Sequence, residues 1–346
     1  MEAFALPSEL PIVQAPMAGG PSTPGLAGAV ARAGGFGFLA AGYLSPDELV
    51  RQIARTRELT SVPFGVNIFC PSAPADPAPV RRFAEVIRPE SDRLGVALGE
   101  PRWDDDDFDD KVEVAASWHV GMVSFTFGCP DPGIVGRLHA GDCTVAVTVT
   151  SPEEAGTAGA AGVDLVVVQG TEAGGHQASF RDRSPNLRPL SYLVGQIRDT
   201  TGIPMVASGG IMSGGRAAEL MRMGSVGVQL GTAFLCCDEA GTSATHRRAL
   251  LDRTYRHTMI TRAFSGRYAR GLANEFAVRY ADAAPDGYPE IHHLTRPLRA
   301  TAAEAGDPSV PNLWAGTGWE DLTPGSAAAI VQRIASELEA GLGTAG

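Results

Sequence analysis

Long hydrophobic runs are missing from this sequence. The longest apolar stretches, such as residues 163–169 (VDLVVVQ), are far shorter than the ~20 residues that a bilayer-spanning helix needs. The first residues also lack a basic stretch followed by an apolar one, the pattern of a secretory signal. These two absences predict a cytoplasmic protein with no membrane partner.

Cysteine is scarce and poorly arranged for cross-linking. The chain has five cysteines, an odd number, and two of them, Cys236 and Cys237, are adjacent. A disulfide framework is therefore not expected. No CxxC pair is present either, so we expect no zinc site and no other metal. A reducing compartment fits this cysteine usage.

Basic residues are outnumbered. The chain has 28 Lys and Arg against 39 Asp and Glu, which gives a formal net charge of −11. A nucleic-acid surface would require clustered Lys and Arg, so this class of partner is excluded. The length of 346 residues allows one large domain with a smaller appendage. It leaves open whether the protein is a monomer or a homodimer.

Short β-rich runs alternate with helix-like segments over the first two thirds of the chain. The predicted strands are Ile12–Ala15, Phe36–Leu39, Phe64–Phe69, Met122–Phe125, Thr144–Thr148, Leu165–Gln169, Pro204–Ala207 and Val226–Leu230. The predicted helices are Gly25–Ala33, Pro46–Leu59, Val80–Val86, Asp109–His119, Gly133–Ala140, Pro152–Ala160, Leu190–Thr200 and Gly214–Met223. The strands are continuous apolar runs, which is typical of parallel strands covered on both faces.

Eight strands in this alternation predict an α/β fold, a TIM (β/α)8 barrel. An open doubly wound sheet is the alternative, but no GxGxxG motif follows the first strand, so the dinucleotide-binding version is disfavoured. We assign residues 1–234 to the barrel and residues 235–320 to a smaller, mainly helical domain that covers the site, in which residues 238–264 are predicted to be helical. In residues 321–346, the apolar spacing predicts a helix that returns to the barrel.

Two segments at predicted strand ends combine glycine with polar groups. In Gln14–Gly20 (QAPMAGG), a proline and two glycines turn the chain sharply, so that backbone could lie against a planar ring. A simple turn with Met17 in the core is the alternative. In residues 166–178 (VVVQGTEAGGHQA), Gln169 can read a heterocycle, and His176 can accept a proton at physiological pH. Glu172 could orient His176 or pair with a basic residue.

Two further glycine-rich segments follow the predicted seventh and eighth strands. Ser208, Gly209 and Gly210 end the seventh, and Gly231 and Thr232 end the eighth. Successive N–H groups in such turns form a concave anion site, and these two loops of a barrel commonly bind phosphate. Plain tight turns are the alternative. A phosphate-tailed flavin fits this set, and FMN is the simplest candidate because no second nucleotide-binding motif is found.

Other polar positions are weaker candidates. Asn67 and Thr126 end the third and fourth strands, and Ser265–Arg270 (SGRYAR) could cover the ligand or join the two domains. The adjacent His292 and His293 lack a third ligand at metal spacing. The acidic run at residues 104–110 is interpreted as a solvated loop; a metal site is the weaker alternative, because the run lacks the glycine spacing of a calcium loop.

The motifs PIVQAPMAGG, VVVQGTEAGGHQA, PMVASGGI, GVQLGTAFL and FSGRYARGLANEF resemble those of the nitronate monooxygenase family, formerly the 2-nitropropane dioxygenases. The resemblance implies an FMN-dependent barrel in which His176 is the catalytic histidine. The residues that it implies for flavin binding are Ala15, Pro16, Met17, Asn67, Gln169, Gly170, Gly174, Gly175, Ser208, Gly209, Gly210, Gln229, Gly231 and Thr232.

The resemblance also implies an activity. A family member would oxidise alkyl nitronates, and nitroalkanes as well, with O2 to a carbonyl compound and nitrite. Some family members carry a second active-site histidine on the fourth strand, where this chain has Thr126. An NAD(P)H-dependent flavin reductase acting on a quinone or enoyl thioester is the alternative, because related reductases share the glycine signatures. A non-catalytic FMN-binding protein is a further alternative.

Overall fold

The computed structural model describes residues 4–343. Eight parallel strands form one sheet that curls into a barrel: β1 (Ile12–Gln14), β2 (Phe38–Ala40), β3 (Gly65–Phe69), β4 (Met122–Thr126), β5 (Thr144–Val149), β6 (Leu165–Gln169), β8 (Met205–Ser208) and β9 (Gly227–Leu230). Their order around the sheet is β1-β9-β8-β6-β5-β4-β3-β2. The predicted barrel and its eight strands are confirmed.

The barrel closes between β1 and the residues just before β2. The N–H of Gln14 donates to the carbonyl of Phe36 at 2.9 Å, and the N–H of Phe36 donates to the carbonyl of Ile12 at 2.8 Å. The Gln14 side chain extends this seam, because its Oε1 accepts from the N–H of Phe38 at 2.9 Å. At the seam between β1 and β2, a buried side-chain amide thereby takes the place of a backbone hydrogen bond between the strands.

Eight helices form the outer ring: α1 (Pro24–Arg32), α2 (Pro46–Leu59), α4 (Phe108–Ser117), α5 (Pro132–Ala140), α6 (Pro152–Ala160), α7 (Leu190–Thr200), α8 (Gly214–Arg222) and α12 (Ala327–Gly343). The starts of α2 and α6 follow from sequence, since Ser45 and Ser151 accept from the N–H groups of Glu48 and Glu154 and a proline follows each. α12 packs against α8 and α1, which closes the ring.

The remaining elements form a smaller unit beside the strand ends. They are α3 (Pro77–Leu94), β7 (Gly175–His176), α9 (Ala244–Leu251), β10 (Thr258–Thr261), β11 (Ala269–Leu272), α10 (Glu275–Tyr280) and α11 (Glu290–Glu304), with single 3-10 turns at Thr232–Phe234 and Trp319–Asp321. A second apolar core joins α3, α10 and α11 through Phe83, Phe276 and Leu294. The division of the chain at residues 234 and 320 stays a prediction, but α3, from within the first 234 residues, contributes to this second core.

Part of the smaller unit is a sheet where the sequence predicts helix. The sequence pattern predicts helix across residues 238–264, whereas α9 covers only Ala244–Leu251 and β10 follows it. β10, β11 and β7 form an antiparallel sheet in the order β10-β11-β7. β7 belongs to the loop after barrel strand β6, so this small sheet ties the barrel to the smaller unit. None of the helices within residues 4–343 combines the length and apolarity of a membrane span.

Candidate active site

A cavity of about 450 Å³ opens at the carboxyl ends of the barrel strands. The first barrel loop, the loop after β6 and the two glycine loops after β8 and β9 line it on the barrel side. The smaller unit contributes the opposite wall through α11 and through residues 311–318. Parallel strands direct all their carboxyl ends to the same face, which is why segments far apart in sequence meet here.

His176 lies in this cavity and is held from both sides. Its backbone pairs with Ala269 of β11, and its carbonyl accepts from Gln169 Nε2 at 3.0 Å. Gln169 Oε1 in turn accepts from the N–H of Ala178 at 2.8 Å. The side chain of Gln169 therefore positions the backbone around His176, a role that its predicted reading of a heterocycle did not include.

The imidazole of His176 has a defined set of neighbours. Nε2 lies 2.8 Å from Ser265 Oγ, and the ring contacts Phe127, Tyr288 and Trp314 with centroid distances of 5.6, 5.8 and 5.4 Å. Phe127 directly follows β4 and has a left-handed backbone with φ +76°, a strained conformation that is often found at functional sites.

Burial, together with the nearby charges of Arg267 and Arg299, lowers the pKa of His176 from 6.5 to about 3. The ring keeps some accessible surface in the cavity, but it is enclosed by protein on most sides. At neutral pH the imidazole is therefore uncharged. It can accept a proton or donate one hydrogen bond, and it faces a cavity that carries positive charge.

The segment 265–270 joins the smaller unit to the barrel, one of the two roles expected for it. Ser265 bonds His176, and the guanidinium of Arg267 donates to the carbonyls of Gln177 and Ser179. Arg267 is only 4% exposed and lies over the ring of Phe127, 4.1 Å from its centroid. Its buried charge has carbonyl partners but no ion pair of its own within residues 4–343, so it adds positive potential to the cavity.

The loops after β8 and β9 lie side by side, because their strands pair through Ser208 and Gln229. Within the described residues, the N–H groups of Gly209, Gly210, Gly231 and Thr232 have no protein acceptor. Gly209 and Gly210 have φ of +126° and +65°, which side-chain-bearing residues rarely adopt. The arrangement offers a set of free donors for an anion at the cavity edge.

The segment 312–318 seals the end of the cavity next to these donors. The N–H of Gly316 donates to Thr232 Oγ1 at 2.9 Å, and the N–H of Thr317 donates to the carbonyl of Glu172 at 3.0 Å. A Cβ on Gly174 would lie 2.5 Å from the nitrogen of Gly316, so glycine is required for the approach of these two loops. The close approach at Gly174 is thus between two protein segments.

Thirteen of the fourteen residues implied for flavin binding line the cavity: Ala15, Pro16, Met17, Asn67, Gln169, Gly174, Gly175, Ser208, Gly209, Gly210, Gln229, Gly231 and Thr232. Gly170 is the exception. It is buried beneath Leu190, and its N–H donates to the carbonyl of Ser208 at 3.0 Å. Gly170 therefore supports the loop from behind and does not face the cavity.

The family model for nitronate monooxygenase matches residues 5–337 of this chain. The chain belongs to the nitronate monooxygenase family. A probable nitronate monooxygenase of Staphylococcus saprophyticus is 37% identical over 94% of each chain, and one of Staphylococcus aureus strain Newman is 36% identical over 95% of this chain and 94% of its own. As a member of this family, the protein is an enzyme, a flavin-dependent oxidoreductase.

Solved structures agree with this assignment. A nitroalkane oxidase from Streptomyces ansochromogenes superposes with a TM-score of 0.96 at 45% identity, covering 98% of both chains. FabK from Thermotoga maritima gives a TM-score of 0.77 at 26% identity, covering 98% of this chain and 96% of its own. The predicted family and the barrel fold are both confirmed.

Within this nitronate monooxygenase-family site, several residues differ from expectation. The carboxylate of Glu172 accepts from the N–H of Leu190, the first residue of α7, at 3.0 Å. Of the two roles left open for Glu172, it therefore does not take the orientation of His176, and pairing with a basic residue stays a prediction. Thr126 lines the cavity and bonds Asn67 Nδ2 at 3.0 Å. The acidic run is not simply solvated, because Asp106 pairs with the buried Lys111 at 2.8 Å.

Two further histidines line the cavity: His246 from α9, which the sequence pattern did not single out, and His292 from α11, which it considered only as a metal ligand. Burial lowers the pKa of His246 to about 4. Both lie on helices of the smaller unit, and no local pattern marks a helical residue as facing a distant cavity. The five cysteines are free thiols, and no group of three or more His, Cys, Asp or Glu within residues 4–343 could hold a metal ion.

Proposed function

We propose that this protein is an FMN-dependent nitronate monooxygenase. It oxidises alkyl nitronates, and nitroalkanes less well, with O2 to a carbonyl compound and nitrite. The observation that carries this proposal is the position of His176, an uncharged imidazole in a cavity of about 450 Å³ that faces two glycine loops with free N–H donors. The name of the solved relative, a nitroalkane oxidase, supports a nitro compound as the substrate class.

The cavity residues fit FMN. A phosphate would be held by the N–H groups of Gly209, Gly210, Gly231 and Thr232, which lack protein acceptors within the described residues. Ala15–Met17 and Asn67 would line the ring. When bound, the flavin supplies the electron transfer between substrate and oxygen, for which none of these side chains is suited.

The protein groups then bind and orient the substrate. His176 Nδ1 has no protein partner within residues 4–343, so it is the imidazole atom available to a ligand. With a neutral nitroalkane, it would accept the α-proton. A pKa of about 3 makes it a weak base for that step, which favours a nitronate that arrives already deprotonated.

The positive potential of the cavity favours the same substrate. Arg267 and Arg299, which lower the pKa of His176, also stabilise an anion placed beside it. A bound nitronate in turn raises the pKa of His176, because opposite charge favours the protonated imidazole. A cationic His176 is therefore expected only with the anion bound.

The purified protein provides the test. We expect a yellow protein with one FMN per chain that consumes O2 and releases nitrite with propyl-2-nitronate. Under anaerobic conditions, propyl-2-nitronate should change the flavin spectrum rapidly and NADH slowly. Rapid bleaching by NADH with no nitrite from nitronate would instead support a reductase. A flavin-containing protein that turns over neither compound would support a binding protein.

A further inference from the structure

His292 is the second imidazole of the cavity, and α11 places it there. The side chain is 8% exposed and lines the cavity. Its ring stacks on Tyr43, with centroids 4.2 Å apart and an interplanar angle of 6°. Tyr288 contacts the rings of both His176 and His292, so the two histidines share a wall of the cavity.

A neighbouring arginine determines which nitrogen of His292 carries the proton. Arg299 Nη2 lies 3.3 Å from His292 Nδ1 and 3.0 Å from the His292 carbonyl. A guanidinium can only donate, so Nδ1 accepts and the proton of the neutral ring is on Nε2. Burial and the nearby Arg299 hold the pKa of His292 well below its usual value, which keeps the ring neutral.

Both partners of the ring are fixed in place. Arg299 donates from Nε to Thr295 Oγ1 at 3.0 Å and from Nη1 to Asn312 Oδ1 at 2.7 Å. On the other side, the N–H of Tyr43 donates to Asp106 Oδ1 at 3.0 Å, and Asp106 pairs with Lys111. The imidazole is therefore held in one orientation between an arginine and a tyrosine.

The Nε2–H of His292 has no protein acceptor within residues 4–343. This nitrogen also does not belong to the buried polar atoms that are left unpaired, so it keeps contact with open space. The structure thus presents a neutral donor, with a fixed tautomer, on a residue that lines both the cavity of His176 and the neighbouring cavity beside Tyr43. A group with exposed oxygen acceptors is the ligand that such a donor recognises.

We propose that His292 is a second substrate-binding residue, whose Nε2–H donates to an oxygen of the nitronate group. This inference rests on the proposed function. His292 reaches the cavity from α11 of the smaller unit, whereas His176 reaches it from the loop after β6. The role is distinct from that of His176, because His292 offers a donor and no free acceptor.

Two substitutions of His292 distinguish loss of the Nε2–H donor from loss of the ring that packs on Tyr43. In His292→Gln, the amide nitrogen can occupy the place of Nε2, whereas in His292→Asn the amide reaches only the place of Nδ1. Both lose the ring and its stack on Tyr43, so their difference isolates the donor. The probe is isobutyrate, a redox-inert carboxylate whose heavy atoms are connected as in propyl-2-nitronate, titrated into the FMN-loaded protein and followed by flavin absorbance.

We expect His292→Asn to bind isobutyrate about 10- to 100-fold more weakly than the unsubstituted protein, because a hydrogen bond to a charged acceptor is lost. His292→Gln should stay within about threefold. The KM for propyl-2-nitronate should follow the same order. Equal binding by the Asn variant, or equal loss in both variants, would overturn the proposal.

A measurement on protein that keeps His292 tests the proposal even if neither variant folds. In protein labelled with 15N-histidine and carrying His176→Gln, isobutyrate should shift the signals of an imidazole protonated at Nε2. If no such imidazole responds, the proposal is wrong. Failure of the proposed function is recognised separately, since the unsubstituted protein would then release no nitrite from propyl-2-nitronate.

Discussion

His176 Nε2 lies 2.8 Å from Ser265 Oγ, and the two residues come from the barrel and from the smaller unit. Ser265 Oγ is also 3.3 Å from the carbonyl of Arg267, to which its hydroxyl can donate. The hydroxyl oxygen then accepts from Nε2–H of His176. This arrangement leaves Nδ1 without a proton and facing a ligand as an acceptor.

Replacing Ser265 with alanine should therefore remove the hydrogen bond that fixes the tautomer of His176. The substitution removes a single oxygen atom, so the shape of the cavity should change little. We expect kcat/KM with nitroethane to fall about fivefold in Ser265→Ala, with the FMN content unchanged, because one hydrogen bond worth about 1 kcal/mol is lost. Nitrite release measures the effect. Ser191→Ala, which removes a hydroxyl that contacts Arg216, is the matched control. Unchanged kcat/KM in Ser265→Ala would show that the serine does not control the imidazole.

Removing the imidazole of His176 should reduce the turnover of nitroethane much more than the turnover of ethylnitronate. In His176→Gln, turnover of neutral nitroethane should fall by about 10²- to 10⁴-fold, since a general base is lost. Turnover of ethylnitronate should fall far less, because that anion needs no proton acceptor. The ratio of the two kcat/KM values is the measurement. His139→Gln, a surface histidine paired with Asp164 at 3.0 Å, serves as the control. Equal losses with both substrates would contradict the assigned role.

The glycine loop after β8 should tolerate no side chain. In Gly210→Ala, the new Cβ would lie 2.8 Å from Glu172 Cβ and 3.1 Å from Thr317 Oγ1, at φ +65°. We expect a loss of about 1–3 kcal/mol in the free energy of unfolding and a lower FMN content. Gly215→Ala is the matched control, because its Cβ would meet nothing within 4 Å. Denaturant unfolding and the flavin-to-protein absorbance ratio give the two readouts, and full FMN content in Gly210→Ala would speak against the phosphate site.

Buried histidines should make the protein sensitive to acid. Burial lowers the pKa of His246 from 6.5 to about 4. The unfolded chain then binds a proton between these values that the folded chain does not, so stability is full above pH 6.5 and is lost as the pH falls toward 4. The contribution of His246 is up to about 3 kcal/mol.

Urea unfolding at pH 7, 5 and 4 tests this dependence. Carboxylates also titrate in this range, so the comparison is with His246→Gln, in which we expect a shallower loss of stability between pH 7 and 4. If the free energy of unfolding falls equally with pH in the two proteins, the pKa of His246 is not lowered in the folded state.

The barrel could be predicted because its elements are local. Each strand is a short apolar run, and helices such as α2 begin at a serine followed by a proline, so chain neighbours carry the information. β10 was missed although its only partner in the small sheet, β11, follows it closely in the chain, at Ala269. The third strand of that sheet, β7, lies in a barrel loop about 80 residues earlier, so the sheet as a whole depends on a distant segment.

The residues of the site divide in the same way, into those that local sequence places and those that tertiary packing places. Glycine-rich turns, Asn67 and His176 stand at strand ends, and parallel strands bring all such ends to one face, so the sequence alone was enough to assemble this half of the cavity. Gln169 could be assigned to the site but not to its role, because its partners are backbone groups whose positions depend on the turn. His292, Arg299 and Ser265 come from the smaller unit, and only tertiary packing decides which faces of its helices and loops meet the barrel. The barrel and its glycine-rich loops thus follow from local pattern, whereas the environment of His176 exists only once the two units are packed together.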